Sequence, residues 1–369
     1  MLFYTSIFLL AGLLAFVFIL KSRNMHIWIV SYIKQKISRK TLSNFSDKHI
    51  YFCLADHYEP YFGAASQSDA RKLVEDWDEK YRNVVKGHSD SNGRSPVHSY
   101  FYPEEEYDEW ILNKIQKLCE DKLGDVDIHL HHDNDTAENL EKTLNRFKSL
   151  LYEKHGLLRK NNAGEIVYGF IHGNWALDNS RPDRRWCGID NELDVLINTG
   201  CDYDMTMPSA PSDTQTTTIN TIYLAKEDGK CKSHNKGKEL KVGDWKQANE
   251  LLMIQGPLTL NWKSRKLGLI PRIESGELSA DAPPTKQRVE LWESCSVSVK
   301  GAEDHVFIKL HTHGLQKSNM QMFFDNGGFE TLWTSLEDKY KNTDGYQLHY
   351  VSAWDMYEKI KSLALKETE

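Results

Sequence analysis

From Lys48 onward the hydrophobic positions switch repeatedly between two periods. Short β-rich runs at His49–Ala55, Val97–Tyr102, Val126–His131, Ile166–His172, Cys201–Met207, His305–His311 and Tyr346–Ser352 predict seven strands. Between them apolar residues recur at helical spacing. Leu73, Trp77, Tyr81 and Val84 form one stripe, Tyr107, Ile111, Ile115 and Leu118 a second, and Leu140, Leu144, Phe147 and Leu151 a third. Further stripes follow at Leu193–Ile197, Phe329–Tyr340 and Trp354–Leu365. Strands alternating with amphipathic helices predict a parallel sheet or barrel. The stretch 219–284 breaks this rhythm with Gly256-Pro257, Gly268, Pro271, Gly276 and Pro283-Pro284, and reads as a long insertion with short strands or helices of its own, packed over one face, or as a small separate lid.

The start of the chain has a different character. Leu2 to Leu20 is apolar apart from Thr5 and Ser6, long enough for a transmembrane helix. It runs straight into Lys21-Ser22-Arg23 with no small-residue cleavage site, so an uncleaved single-pass anchor at 1–21 is expected, followed by a basic juxtamembrane linker at 22–47 and the body at 48–369. Lys21, Arg23, Lys34, Lys36, Arg39 and Lys40 all follow the span, and the charge rule then places the body in the cytoplasm. Met25 to Ile37 reads either as a helix along the membrane surface or as a short linker helix. Hydrophobic residues make up 40% and charged residues 27% of the chain, enough for a sizeable core, and the net charge of -7 gives no general attraction for phosphate backbones, so nucleic acid is not expected as a partner.

The chemistry gathers where the predicted strands end. The first ends in Asp56-His57-Tyr58-Glu59, the third in His129-Leu130-His131-His132-Asp133-Asn134-Asp135, the fourth in His172-Gly173-Asn174-Trp175 and the sixth in His311-Thr312-His313. Such ends meet round one mouth in β/α barrels, and imidazoles with carboxylates there suit a zinc-like or other divalent transition ion. His129 and His131 share a strand face, as do His311 and His313, while His132 points the other way. Asp135 precedes a helix with Glu138 three residues on, so it reads equally as an N-cap or as a ligand. Glu104, Glu105 and Glu106 read as first-turn acids of the second helix, and Trp175 and Trp186 as an aromatic wall or as core.

In their order along the chain these strand ends resemble the polysaccharide deacetylases, the chitooligosaccharide-deacetylase-like carbohydrate esterases, over roughly Ile50 to Ser352. The resemblance implies an α/β fold, specifically a distorted seven-stranded (β/α) barrel, with Asp56 as catalytic base and His311 as the general acid of the late Leu-x-His motif. It places His57, His131 and Asp135 as metal ligands, with Asp56 or His129 as substitutes, and His172, Asn174, Trp175 and His313 against substrate. The Asp-Asp pair, the His-x-x-x-His motif and the Arg-x-x-Pro-Tyr groove motif of that family are absent here. The expected activity is metal-dependent, zinc-assisted removal of an acetyl or related acyl group from a glycan or lipid-linked saccharide. A degenerate barrel that binds glycan or an assembly partner, and an amidohydrolase-like metal hydrolase using His129 and His131, are the alternatives.

Overall fold

The computed structural model describes residues 12, 14, 16–38 and 47–366. The main strands are β1 (Lys48–His57), β2 (His98–Pro103), β3 (Gly124–Leu130), β4 (Ile166–His172), β5 (Cys201–Asp204), β6 (Leu251–Ile254), β7 (His305–Thr312) and β8 (Tyr346–Tyr350). They are joined by helices that include α1 (Gln67–Val84), α2 (Glu109–Glu120), α3 (Ala137–Glu153), α4 (Glu192–Asn198) and α5 (Ala353–Ala364). All belong to one large, mostly parallel sheet in the order β7-β1-β2-β3-β4-β5-β6, so the chain has a mixed α/β fold. The last strand, β8, is not at an edge. It pairs with β1 over Lys48–Phe52, below the stretch where β1 pairs with β2 over Leu54–His57.

Two differences from the sequence reading concern the sheet. Among the described residues no pairing joins its two ends, so the sheet is open where a closed, distorted barrel was expected. The chain just past β6 approaches β7 at Gly256, where a Cβ would overlap the Lys309 carbonyl. In place of a backbone ladder, buried Lys309 on β7 reaches across and donates to the carbonyl oxygens of Met205 (2.7 Å) and Met207 (2.8 Å), just past β5. The stretch 219–284 is also more than a covering insertion. It supplies β6, parallel to β5, and Ile222–Ala225, antiparallel to β6. The short run Leu251–Ile254 carries no alternation, because it is buried on both faces, and so it lacks the period that marks an amphipathic strand.

The expected single-pass anchor is not supported either: among the described residues no helix is long and apolar enough to cross a membrane. Most of the stretch 2–20 lies outside the described residues. The orientation drawn from its flanking charges goes with it. The segment that follows docks on the protein itself. Met25 and Trp28 are buried with Ala210, Ile219, Leu258 and Leu260, and Gln35 donates to the Ile219 carbonyl at 2.7 Å.

Helices α1 to α3 cover one face of the sheet, each through an apolar stripe: Ala70, Val74, Trp77 and Tyr81; Ile111, Leu112, Ile115 and Leu118; Leu140, Leu144, Phe147 and Leu151. The other face is filled by Tyr51, Phe101, Tyr203 and Phe307 and closed from below by Met356, Tyr357 and Ile360 of α5. These are called the outer and inner faces below.

Asp108 fixes the chain just beneath the candidate site. It caps α2 by accepting from the Trp110 and Ile111 amides. It also accepts two hydrogen bonds from Arg71, at 3.0 Å each, and one from the Tyr61 hydroxyl at 2.8 Å, tying the loop after β1 to α1 and α2. Burial alone would raise this carboxyl, but the bonds from Arg71, Tyr61 and Gln67 hold it at about 2. Asp108→Ala should therefore cost about 2–4 kcal/mol, from a lost cap and lost charge-assisted bonds, read as a lower urea midpoint at unchanged slope. Because the folded value lies below the unfolded value near 3.9, the stabilisation is complete above about pH 4 and is lost as pH falls toward 2. The gap in stability between wild type and Asp108→Asn should close over that window.

Candidate metal centre

Strand alternation decides which polar side chains can meet. On β1, Tyr51, Cys53 and Ala55 belong to the inner core while Ile50, Phe52 and Leu54 pack against the outer helices. His57 therefore continues the inner face and Asp56 the outer one. On β3, Val126, Ile128 and Leu130 are outer, which leaves His129 inner, and the chain beyond the strand keeps His131 on the same side. On β7, Phe307 is inner and Ile308 and Leu310 are outer, so His311 and His313 also turn inward.

His57, Glu59 and His129, all buried, offer ligand atoms that lie within 4.8 Å of one another, close enough to hold a metal ion. The tautomer of His129 follows from its partner: Nδ1 faces the Ile171 carbonyl at 2.8 Å, and a carbonyl only accepts, so Nδ1 carries the hydrogen. Its Nε2 lone pair then points at Glu59 Oε1 across 3.2 Å, two electron-rich atoms that need a proton or a cation between them. The His57 ring lies 4.7 Å from that of His129 and 4.6 Å from that of His313, centre to centre. His131 approaches from the rim, with Nε2 3.3 Å from Glu59 and Nδ1 2.5 Å from Glu105 Oε1. Its ring rests on Gly173, where any Cβ would overlap it.

Charge is distributed unevenly round this cluster. Burial, with the neighbouring His313 and His129 rings, pushes His57 well below the ordinary imidazole value and keeps it neutral. Burial opposes ionisation of Glu59, yet the adjoining His129 and His131 imidazoles hold its carboxyl far below the usual range. Burial likewise opposes a charge on His131, but its bonds to Glu105 and Glu59 raise it to about 10.

Above the cluster opens a cavity of about 340 Å³, lined by His57, Glu59, Phe62, His131, Asn174, Trp175 and His313 among others. Asn174 and Trp175 both have φ of 53°, in the left-handed region. Asparagine visits that region readily, whereas a bulky tryptophan does so at a cost of about 1–3 kcal/mol, a strain that concentrates at ligand-binding loops. The Trp175 indole N–H is buried and has no hydrogen-bond partner among the described residues.

The residues expected from sequence fall into distinct places. His57 and His131 lie at the cluster, and Asn174, Trp175 and His313 line the cavity above it. His311 lies one layer deeper, 6.3 Å from both His57 and Trp175 between ring centres, with burial and the nearby Lys309 ammonium holding it well below the ordinary value. Asp56 is on the outer face, where it accepts from His98 Nε2 (2.8 Å) and the Gly314 amide (2.7 Å), so it cannot act as a base in the cavity. Asp135 does not join His57 and His131. Its Oδ2 is 3.0 Å from His132 Nδ1, and the helix cap assigned to it is made by Thr136. His172 also turns outward, meeting His132 and Glu192 in a second His/Glu group able to hold a metal ion. Trp186 is exposed beneath Arg181 and Arg185 and forms no wall of the cavity.

Glu59, Glu105 and Glu192 were not expected as site residues from the sequence. Glu59 follows His57 by two positions and so shares its face, a signal that was legible. Glu105 sits in a short 3-10 turn that ends before α2, so it is free to reach His131 where a first-turn helical acid could not. Glu192 opens α4, and only the folded position of that helix reveals its partners His132 and His172. Searches against protein-family models and against curated proteins return no match for the chain.

Proposed function

We propose that this chain is a metal-dependent hydrolase that removes an acetyl or related acyl group from a sugar, with its centre at His57, Glu59 and His129. The observation that carries the proposal is the convergence of those ligand atoms at the floor of a cavity with an aromatic and amide wall. The donor set suits the ion. Two imidazoles and a carboxylate, with His129 held by the Ile171 carbonyl, match the two-nitrogen, one-oxygen set of hydrolytic zinc sites. Bound there, a divalent ion supplies Lewis-acid polarisation of an acyl carbonyl and acidifies water. The cavity is the size of a small ligand site, and Trp175 and Phe62 offer flat apolar faces for a sugar ring. Asn174 and the unpartnered Trp175 N–H offer hydrogen bonds to hydroxyl or acyl oxygens.

Proton handling falls to cavity residues other than Asp56. His131, held by Glu105, can donate toward a leaving group, and His313 at the opposite wall can accept from water. A non-catalytic glycan-binding reading is favoured by one fact, that the expected base faces away from the cavity.

His129→Gln should reduce bound metal by about tenfold or more while the far-UV spectrum is retained, measured by elemental analysis of the purified chain. Full metal retention by that variant would remove the centre from these residues. His313→Gln should keep the metal and lower turnover of an acetylated chitooligosaccharide about 10²-fold or more. Asp56→Asn should instead lower the melting temperature, through its lost bonds to His98 and Gly314, with metal content unchanged. A wild-type protein that binds metal and chitooligosaccharide without deacetylating any acetylated glycan would decide for the binding reading.

A further inference from the structure

We propose that His132, His172 and Glu192 form a second site for a divalent transition-metal ion, on the outer face of the sheet, which clamps α4 and the 232–234 segment to the ends of β3 and β4. His132 Nε2, His172 Nε2 and Glu192 Oε1 are separated by 3.0, 3.1 and 3.4 Å. Ligands at 2.0–2.1 Å round a tetrahedral ion are separated by about 3.3 Å, so the spacing is that of one face of such a shell.

The tautomers point the same way. His172 Nδ1 faces the Gly173 carbonyl at 2.5 Å and His132 Nδ1 faces the Asp135 carboxylate at 3.0 Å. Both partners only accept, so both Nδ1 atoms carry hydrogen and both Nε2 lone pairs converge with a carboxylate oxygen. One added proton could bridge part of this group, whereas an ion satisfies all three atoms at once. The surroundings hold the ligands as metal ligands are usually held, each imidazole tethered through its far nitrogen and Glu192 Oε2 accepting the Asp178 amide at 2.6 Å. The His132 ring lies against Gly188, where a Cβ would overlap it.

A separate observation comes from His234. It is fully buried, and neither ring nitrogen has a hydrogen-bond partner among the described residues. Asp178 draws its segment to the cluster by accepting from the Lys232 and Ser233 amides, at 2.6 Å each, while donating its own amide to Glu192. An imidazole with two unmet nitrogens beside a convergent His-His-Glu group is a group in want of a ligand.

The test is metal stoichiometry of the full chain, equilibrated with micromolar zinc and then dialysed, in wild type, His57→Gln, His172→Gln and Glu192→Gln. Glu192→Gln removes the charge but keeps a side-chain oxygen to accept the Asp178 amide, so this variant guards against simple unfolding of His172→Gln. Expected are two equivalents in wild type and one in each variant, with added zinc raising the melting temperature of His57→Gln but not of Glu192→Gln. One equivalent in wild type, lost in His172→Gln and Glu192→Gln but kept in His57→Gln, would support this site and sink the cavity centre. Two equivalents retained by Glu192→Gln, or any wild-type stoichiometry that Glu192→Gln leaves unchanged, would overturn the proposal and leave His132 as a protonated partner of Glu192.

Discussion

A strand turns successive side chains to opposite faces, and in this chain that alternation decides which of the histidines can meet. His57, His129, His131, His311 and His313 fall on the inner face, whereas His98, His132 and His172 fall on the outer face beneath the helices. A one-residue slip of β3 would turn His129 and His131 outward and His132 inward. The register is protected by the core below, because the same slip would drive Val126, Ile128 and Leu130 out of their contacts with the helices and bring Asp127 into them. Asp127 is itself fixed on the inner face, where it accepts from Arg159 and Tyr203 and from the Gly169 amide. The apolar packing of one face thus sets the chemistry of the other.

Placing so many polar groups together in the interior requires that each have a counterpart. Glu59 is the centre of that arrangement on the inner face, since its buried carboxylate oxygen faces Nε2 of His129 at 3.2 Å and of His131 at 3.3 Å. Glu192 plays the same part on the outer face, with His132 and His172. There the burial of His172 pushes it down to about 4, while the Glu192 charge and the Asp135 bond outweigh burial and raise His132 to about 9. Two adjacent residues, His131 and His132, therefore answer to two different carboxylates through one turn of backbone at the end of β3.

Much of this was legible in the sequence, and the parts that were not share a physical cause. Strand and helix periods located β1 to β5, β7 and β8 and the helices that cover them. Strand β6 was not picked out because its four residues stand in the turn-rich stretch 219–284. The gathering of histidines at strand ends was visible, and so was the shared face of His129 and His131. Asp56 was chosen over Glu59 by likeness to a family motif, although parity alone places Glu59 with His57. Asp135 was drawn to the cavity by the same likeness, yet its nearest imidazole is the outward-facing His132. Glu105 and Glu192 depend on how a turn and a helix pack, which no local pattern records.

The open edge of the sheet bears on the same cavity. On β7, buried Lys309 donates to the Met205 and Met207 carbonyls just past β5, and burial lowers it to about 8. His311 and His313 stand on the same strand face above it, in that order toward the mouth. Lys309 thus ties β7 to the chain just past β5 through a side chain rather than a backbone ladder, beneath the histidines that β7 carries toward the cavity.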